Sequence, residues 1–272
     1  MNSIRTSSTR SVRLCLLLMA LIGFSHTASV RAQDRPIKIG VTAGPHAQIA
    51  EVAKQVAARE GLTLQIVEFN DYIQPDAALD AGDLDANSYQ HLPFLEGQIA
   101  SRGYRIVNVG LTVTFPMGFY SKRYRSLDAI PEGGTIAIQN DPSNSGRALL
   151  LLQKSGVIKL KPGAGVSATT LDIVENRKKL KIVQVEAAQL PRALDDLDAA
   201  AINTNYAMTA GLVPTRDAIA IEDAKGPYAN LIAVRTIDRD KPWVPKLVRA
   251  FQSPEVSAFV AKNYAGSLVP AY

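Results

Sequence analysis

From residue 37 onward the chain alternates short β-type runs with amphipathic helical ones. β-branched and apolar residues fill 37–41 and 62–69, and between them Ile49, Val52, Ala53, Val56 and Ala57 recur at i, i+3, i+4, i+7 and i+8. That spacing is one apolar stripe of a helix, predicted over 46–59. Gly61 closes it, because glycine accepts the left-handed backbone that ends helices. The resulting βαβ unit packs its stripe on a sheet. Two more helices, predicted over 75–81 and 93–102, lead to a strand over 105–109. The pattern then changes: 112–121 combines Tyr, Phe and Thr around Pro116 and reads as an extended segment crossing to a second lobe.

A second series begins at Thr135. It comprises a strand over 135–139, an apolar helix over 145–154, a strand over 181–186, a helix over 190–197 and a strand over 199–202. A further β pair, 218–221 and 230–234, flanks Lys225-Gly226-Pro227, with the return crossing near Tyr228. The last helix is capped by Ser253, with Pro254 in its first turn. Two βα lobes joined by two crossings enclose a cleft, and small-molecule sites favour such places because both walls supply polar groups while closure removes water.

The first 32 residues follow a different logic. Arg5, Arg10 and Arg13 precede an apolar run over 14–24, and Val30-Arg31-Ala32 supplies a small-residue site, so 1–32 reads as a secretory signal peptide cleaved after Ala32. The run is too short to span a bilayer, which takes about 20 apolar residues. Removing 1–32 removes four arginines and no acid, lowering the formal charge from +5 to +1. The basic character therefore belongs largely to the leader. The densest remaining basic run, Arg177-Lys178-Lys179 with Lys181, reads as a solvated turn, so no nucleic-acid partner is expected. Cys15, the single cysteine, lies at the start of the apolar run rather than at its end and leaves with the leader, so the expectation is a soluble periplasmic chain without a disulfide or lipid anchor. With 47% hydrophobic and 20% charged residues, the chain can bury an ordinary globular core.

Three segments carry candidate chemistry. Residues 139–147, Gln139-Asn140-Asp141-Pro142-Ser143-Asn144-Ser145-Gly146-Arg147, join a strand to a buried helix, whose unpaired N–H groups suit a carboxylate or phosphate. Asn144 and Arg147 are the candidate contacts. An arginine in the first helical turn opposes the helix dipole, so it either meets an anionic ligand or pairs with a nearby acid such as Asp141. The segment 85–94 gathers Tyr89, His91 and Phe94, which either wall a ligand or simply pack. Asn203, Asn205 and Asn230 stand at strand ends, where an amide either binds an amino acid's polar groups or caps a turn. Enzymatic signatures are missing: no metal-ligand spacing, Gly-x-Ser-x-Gly elbow, P-loop or dinucleotide fingerprint occurs, and neither a cofactor nor a metal is expected. The rival reading is an exported enzyme acting on an amino-acid derivative in the same cleft, with His91 as base.

Long strings throughout the chain carry a family likeness. They include Phe69-Asn70-Asp71-Tyr72, Asp85-Ala86-Asn87 with Gln90-His91, Pro116-Met117-Gly118, and Asn140-Asp141-Pro142 through Arg147-Ala148-Leu149-Leu150-Leu151-Leu152. Further on come Asp172-Ile173-Val174-Glu175-Asn176, Glu186-Ala187-Ala188-Gln189-Leu190-Pro191-Arg192, Ala201-Ile202-Asn203-Thr204 and Pro227-Tyr228-Ala229-Asn230. In these the chain resembles the NlpA lipoprotein family, the substrate-binding components of methionine ABC importers. The resemblance implies an α/β, two-lobed periplasmic-binding-protein fold, here divided into 33–114 plus 229–272 and 115–228, with the ligand cleft between lobes joined by two crossing segments. It further implies a non-enzymatic monomer that captures methionine or a related amino acid and delivers it to an inner-membrane ABC transporter permease. Arg147 would hold the ligand carboxylate, Asn203 and Asn230 its amino-acid polar groups, and Tyr72, Tyr89 and His91 would line a thioether pocket, since sulfur is favourably placed against ring edges.

Overall fold

The structure, a computed structural model, describes residues 35–264 and 266–272. The predicted signal peptide, with Cys15, lies outside the described residues. The chain opens with β1 (Ile37–Thr42), α1 (Pro45–Arg59), β2 (Leu64–Phe69), α2 (Gln74–Ala81), β3 (Ala86–Asn87), α3 (Leu92–Arg102) and β4 (Ile106–Thr114). After Phe115-Pro116-Met117 come β5 (Gly118–Tyr120), β6 (Thr135–Gln139), α4 (Pro142–Lys154), β7 (Ile158–Leu160), β8 (Ile173–Asn176), β9 (Lys181–Val185), α5 (Leu190–Ala193), β10 (Ala199–Ile202), α6 (Thr204–Thr209), α7 (Pro214–Asp217) and β11 (Ala220–Ile221). It ends with β12 (Ala229–Arg235), α8 (Trp243–Phe251), α9 (Pro254–Tyr264) and β13 (Val269–Pro270).

Strands β13-β4-β12-β3-β1-β2 form one sheet, β11-β5-β10-β6-β9 a second, and β7 with β8 a small separate pair. The chain passes between the two large sheets twice, once over 115–117 and once over 222–228. This is the two-lobed α/β architecture with two crossing segments. β1 runs parallel to β2 and β3, and β6 parallel to β9 and β10. Parallel strands place their following loops at one edge of a sheet, and in open α/β sheets ligands bind outside those carboxyl ends.

Each lobe is held by its own core. In the first, Ile49, Ala53, Val56 and Ala57 of the predicted stripe on α1 are buried, together with Ala50, against Ile39, Val41, Ile232, Val234, Leu247 and Phe251, while Val52 is only partly buried. α1 starts at Pro45, where the missing N–H costs nothing because the first helical donors have no partner. Gly44 makes the turn into it at φ 82°, a conformation glycine tolerates without strain. In the second lobe Leu149 and Leu152 of α4 meet Ile136, Ile138, Met117 and Phe119. Gly146 lets the loop at Val166 approach closely, since a Cβ there would lie 2.4 Å from the Val166 carbonyl oxygen.

Several expected boundaries move. β4 extends to Thr114 rather than 109 because pairing with β12 and β13 holds its second half. The helix expected over 190–197 stops at Ala193: Asp195, Asp196 and Asp198 follow, and acids at a helix C-terminus oppose its dipole. Asp198 instead accepts from the Thr135 backbone N–H at 2.8 Å. The segments 218–221 and 230–234 are not a β pair. β11 lies beside β5 and β12 beside β3 and β4, in different sheets. The helix expected from 145 begins at Pro142, with Asp141 as N-cap accepting from the Asn144 N–H at 2.9 Å. In the basic run at 177–179 Arg177 and Lys179 are exposed, while Lys178 is half-buried with its Nζ donating to the Ile130 carbonyl at 2.9 Å.

Candidate ligand-binding site

The segments singled out in the sequence converge because each follows a parallel strand. Tyr72 follows β2, Tyr89 and His91 follow β3, Asn144 and Arg147 follow β6, and Asn203 follows β10. Together with Asn230, at the start of β12, they line one cavity.

Arg147 organises the polar side. Its side chain is only 3% exposed. Contrary to the expected boundary it stands in the second turn of α4, and its acidic partner is Glu222 rather than Asp141. Nε lies 2.9 Å from both Glu222 oxygens, Nη2 lies 2.6 Å from Oε2, and Nη2 also donates to the Phe115 carbonyl at 2.9 Å. The guanidinium carbon sits 4.3 Å from the centre of the Tyr228 ring. Nε and Nη2 are thus committed, while neither N–H of Nη1 takes part in these bonds. Bidentate pairing of this kind fixes a guanidinium in direction as well as in charge.

Amides continue the wall. Asn203 Nδ2 donates to Asn144 Oδ1 at 2.9 Å, Gln139 Nε2 donates to Asn203 Oδ1 at 2.7 Å, and Asn144 Nδ2 donates to Asp141 at 3.0 Å. Asn203 precedes α6, yet its side chain makes no cap bond. Its amide is held for the cavity rather than the turn. Asn205 accepts from the Tyr72 hydroxyl at 2.6 Å, which ties the two lobes across the cleft.

Rings form the opposite wall. Tyr72 lies 5.9 Å from Tyr89 and 6.0 Å from Phe94, edge-on to the latter, and His91 meets Tyr228 edge-on at 5.1 Å. Burial pushes the Tyr72 and Tyr89 hydroxyls well above the usual phenol range. His91 is pushed down to about 3, chiefly by burial and secondarily by the Arg147 charge. Its Nδ1 accepts from the Phe94 N–H at 3.2 Å, so the proton sits on Nε2, 3.3 Å from Asn144 Oδ1. Neither nitrogen is free to act as the base that an enzymatic reading requires.

Sequence reasoning missed other lining residues. His46 stacks on Phe115 at 4.2 Å and is likewise pushed down to about 3 by burial. Asn230 Nδ2 lies 2.8 Å from its Nε2, and the same amide donates to the Tyr89 carbonyl at 3.2 Å. His46 Nε2 therefore accepts, and Nδ1 carries the proton toward Thr42 Oγ1 at 2.7 Å. Gln90 and Asn205 also line the cavity, and Gln90 Oε1 and Asn205 Nδ2 are buried without a partner. Behind Gln90, Asp76 Oδ1 accepts from Gln90 Nε2 at 2.6 Å and Asn87 Nδ2 at 2.8 Å, and burial raises its carboxyl to about 6. Gln90 belongs to a family string and Asn205 to the candidate amides at strand ends, whereas nothing local to Glu222 or Tyr228 marks their contacts with Arg147. Among the described residues no group of three or more His, Cys, Asp or Glu side chains could hold a metal ion, and no helix is long and apolar enough to cross a membrane.

The architecture has close solved counterparts. A nutrient binding protein from Burkholderia cenocepacia, solved bound to methionine, is 58% identical with a TM-score of 0.85, over 87% of this chain and 100% of that one. The crystallised methionine binding protein MetQ is 49% identical with a TM-score of 0.85, over 87% of this chain and 98% of that one. The D-methionine-binding lipoprotein MetQ of Salmonella typhimurium is 50% identical over 259 residues, 93% of this chain and 96% of the relative. Residues 37–272 match the NlpA lipoprotein family from the first strand to the last residue, and the chain belongs to that family.

Proposed function

We propose that this protein captures methionine, or a close analogue, in the cleft between its lobes and delivers it to an ABC importer. The lobes are taken as 33–114 plus 229–272 and 115–228, a division supported by the two crossings between the sheets. The observation that carries the reading is the cavity in which the buried Arg147 guanidinium faces an aromatic wall. Arg147 holds the ligand carboxylate through the uncommitted Nη1, assisted by Asn205 Nδ2. Asn230, Asn203 and Gln90 Oε1 serve the remaining polar groups, with Asn144 orienting Asn203. Tyr72, Tyr89 and His91 enclose the thioether, whose sulfur interacts favourably with ring edges. The Burkholderia cenocepacia nutrient binding protein, solved bound to methionine, and the D-methionine-binding lipoprotein MetQ of Salmonella typhimurium support the ligand class.

No covalent step is assigned. His91 has no free basic nitrogen, and the site acts by closing over its ligand and presenting the closed form to the permease. The protein works as a monomer, which light scattering of residues 33–272 tests directly. Calorimetry with each enantiomer of methionine tests the reading itself. Arg147→Ala is expected to weaken binding by about a hundredfold or more, by analogy with truncating one partner of a buried charge pair. Equal affinity in both proteins would remove Arg147 from the site.

Relatives carry the word lipoprotein in their names, whereas the only cysteine here, Cys15, lies at the start of the apolar run of the leader rather than at its end. We infer export with cleavage after Ala32 and release into the periplasm without a lipid. The intact mass of the exported chain is expected to begin at Gln33. A diacylated cysteine in that mass would overturn the inference.

A further inference from the structure

Glu222 is absent from the residues that line the cavity, yet it receives most of the hydrogen bonds of the one permanent charge that does line it. It lies on the crossing segment between β11 and β12 and is 12% exposed. Its Oε2 also accepts from the Met117 N–H, on the other crossing segment, at 2.9 Å. One carboxylate therefore fixes Arg147 and fastens both crossings beside it.

The remaining titratable groups around the cavity leave this pair in charge of its electrostatics. His46 and His91 are neutral, and Tyr72 and Tyr89 keep their protons. Asp141 sits at the positive end of α4, bonded by the Asn144 N–H and the Ser143 hydroxyl at 2.9 Å. Asp76 lies behind Gln90, bonded to two amides. A ligand entering such a place gives up its hydration, and an uncompensated charge costs far more there than a balanced one.

We propose that Glu222 is a positioning and specificity-determining residue: by neutralising Arg147 it makes the polar end of the cavity electroneutral, so the site takes a zwitterion and rejects ligands of the same shape with net charge. The inference rests on the amino-acid-binding reading above. A zwitterion brings its own counter-charge, so carboxylate and ammonium both find partners without leaving a net charge buried. Without Glu222, the Arg147 charge would favour anions over zwitterions and repel cations.

Three probes of nearly equal shape test this by calorimetry: methionine, 2-hydroxy-4-(methylthio)butanoate with net charge −1, and methioninol with net charge +1. In Glu222→Gln the hydroxy acid is expected to gain about tenfold relative to methionine and methioninol to lose about tenfold, the sign set by the unmasked guanidinium. Glu222→Asp keeps the charge and should hold both ratios within about threefold of wild type. A purely structural role would lower all three affinities by a common factor, and that outcome overturns the proposal. The wild-type protein gives a check that needs no variant: hydroxy-acid binding within about tenfold of methionine also overturns it, whereas rejection by about a hundredfold or more supports it. If the wild type binds none of the three probes, the amino-acid reading falls and this inference with it. If it binds methionine and the ratios stay fixed in Glu222→Gln, this inference alone falls.

Discussion

The two walls of the cleft are built on different principles. The wall from the first lobe is made of rings, Tyr72, Tyr89, His91 and Phe94, set largely by packing, with backbone bonds at Tyr89 and His91 and bonds from Tyr72 and His91 to Asn205 and Asn144 across the cleft. The wall from the second lobe is a chain of amides and one guanidinium, in which nearly every group is held by another polar side chain. The first wall supplies shape, which tolerates small movements. The second supplies direction and charge, which do not tolerate a missing partner, because a buried polar group left alone costs its full desolvation.

The largest break in this contrast should come from Arg147→Ala. It strands Glu222 beside Met117, and removing one partner of a buried pair typically costs about 3–5 kcal/mol. Urea unfolding of ligand-free protein measures it. A loss below about 1 kcal/mol would mean that the pair behaves as an exposed ion pair and that the polar wall is not preorganised.

Acid should act mainly on the first lobe, which contributes both buried histidines. His46 and His91 are held near 3 in the folded chain against 6.5 for an ordinary imidazole. The unfolded chain therefore binds more protons below pH 6.5, and stability present above that pH is lost progressively as pH falls toward 3. Asp76, raised to about 6 from 3.8, works in the opposite direction between those values. Two histidines outweigh one carboxyl, so a net loss on the order of a few kcal/mol is expected between pH 6.5 and 4.5. Urea midpoints that stay constant over that interval would contradict the neutral-histidine assignment.

Asp76→Asn sharpens the same point with a smaller effect. The carboxyl's raised value means that ionising it opposes folding above pH 3.8, so the amide should stabilise the protein by about 2 kcal/mol at pH 8 and leave it unchanged near pH 3.5. Melting temperatures at the two pH values decide it, and a constant gap would place the effect in packing instead. The smallest effect belongs to Tyr72→Phe. It keeps the ring and removes only the bond to Asn205 that spans the cleft. Closure should weaken by about 1 kcal/mol, read as an approximately fivefold loss of methionine affinity. An unchanged affinity would show that the ring wall closes by shape alone.

Much of the local architecture was legible in the chain. The stripe of α1, the strand over Thr135–Gln139 and the cap at Ser253 follow from period, branching and capping chemistry that act within a few residues. Asp141-Pro142 was a readable helix start, an N-cap followed by a proline at the first helical position, and passing over it put Arg147 one turn too early. The pair β7 and β8 escaped notice because strands of three and four residues are held by each other rather than by their own propensity. Asn203 shows the limit from the other side. Its position before a helix suggests a cap, yet its amide bonds to Gln139 and Asn144, both far away in sequence.

By itself the sequence determined the alternation of strands and helices, the leader-like start, and which junctions carry amides, rings and a guanidinium, because those signals are local. The tertiary structure decided that Arg147 answers to Glu222, 75 residues away, that His46 stacks on Phe115, and that β11 and β12 part into different sheets. The physical reason is that partners in a buried site are chosen by sheet order and by the two crossings, which set what lies within 3 Å of a charge, and no periodicity along the chain encodes that distance.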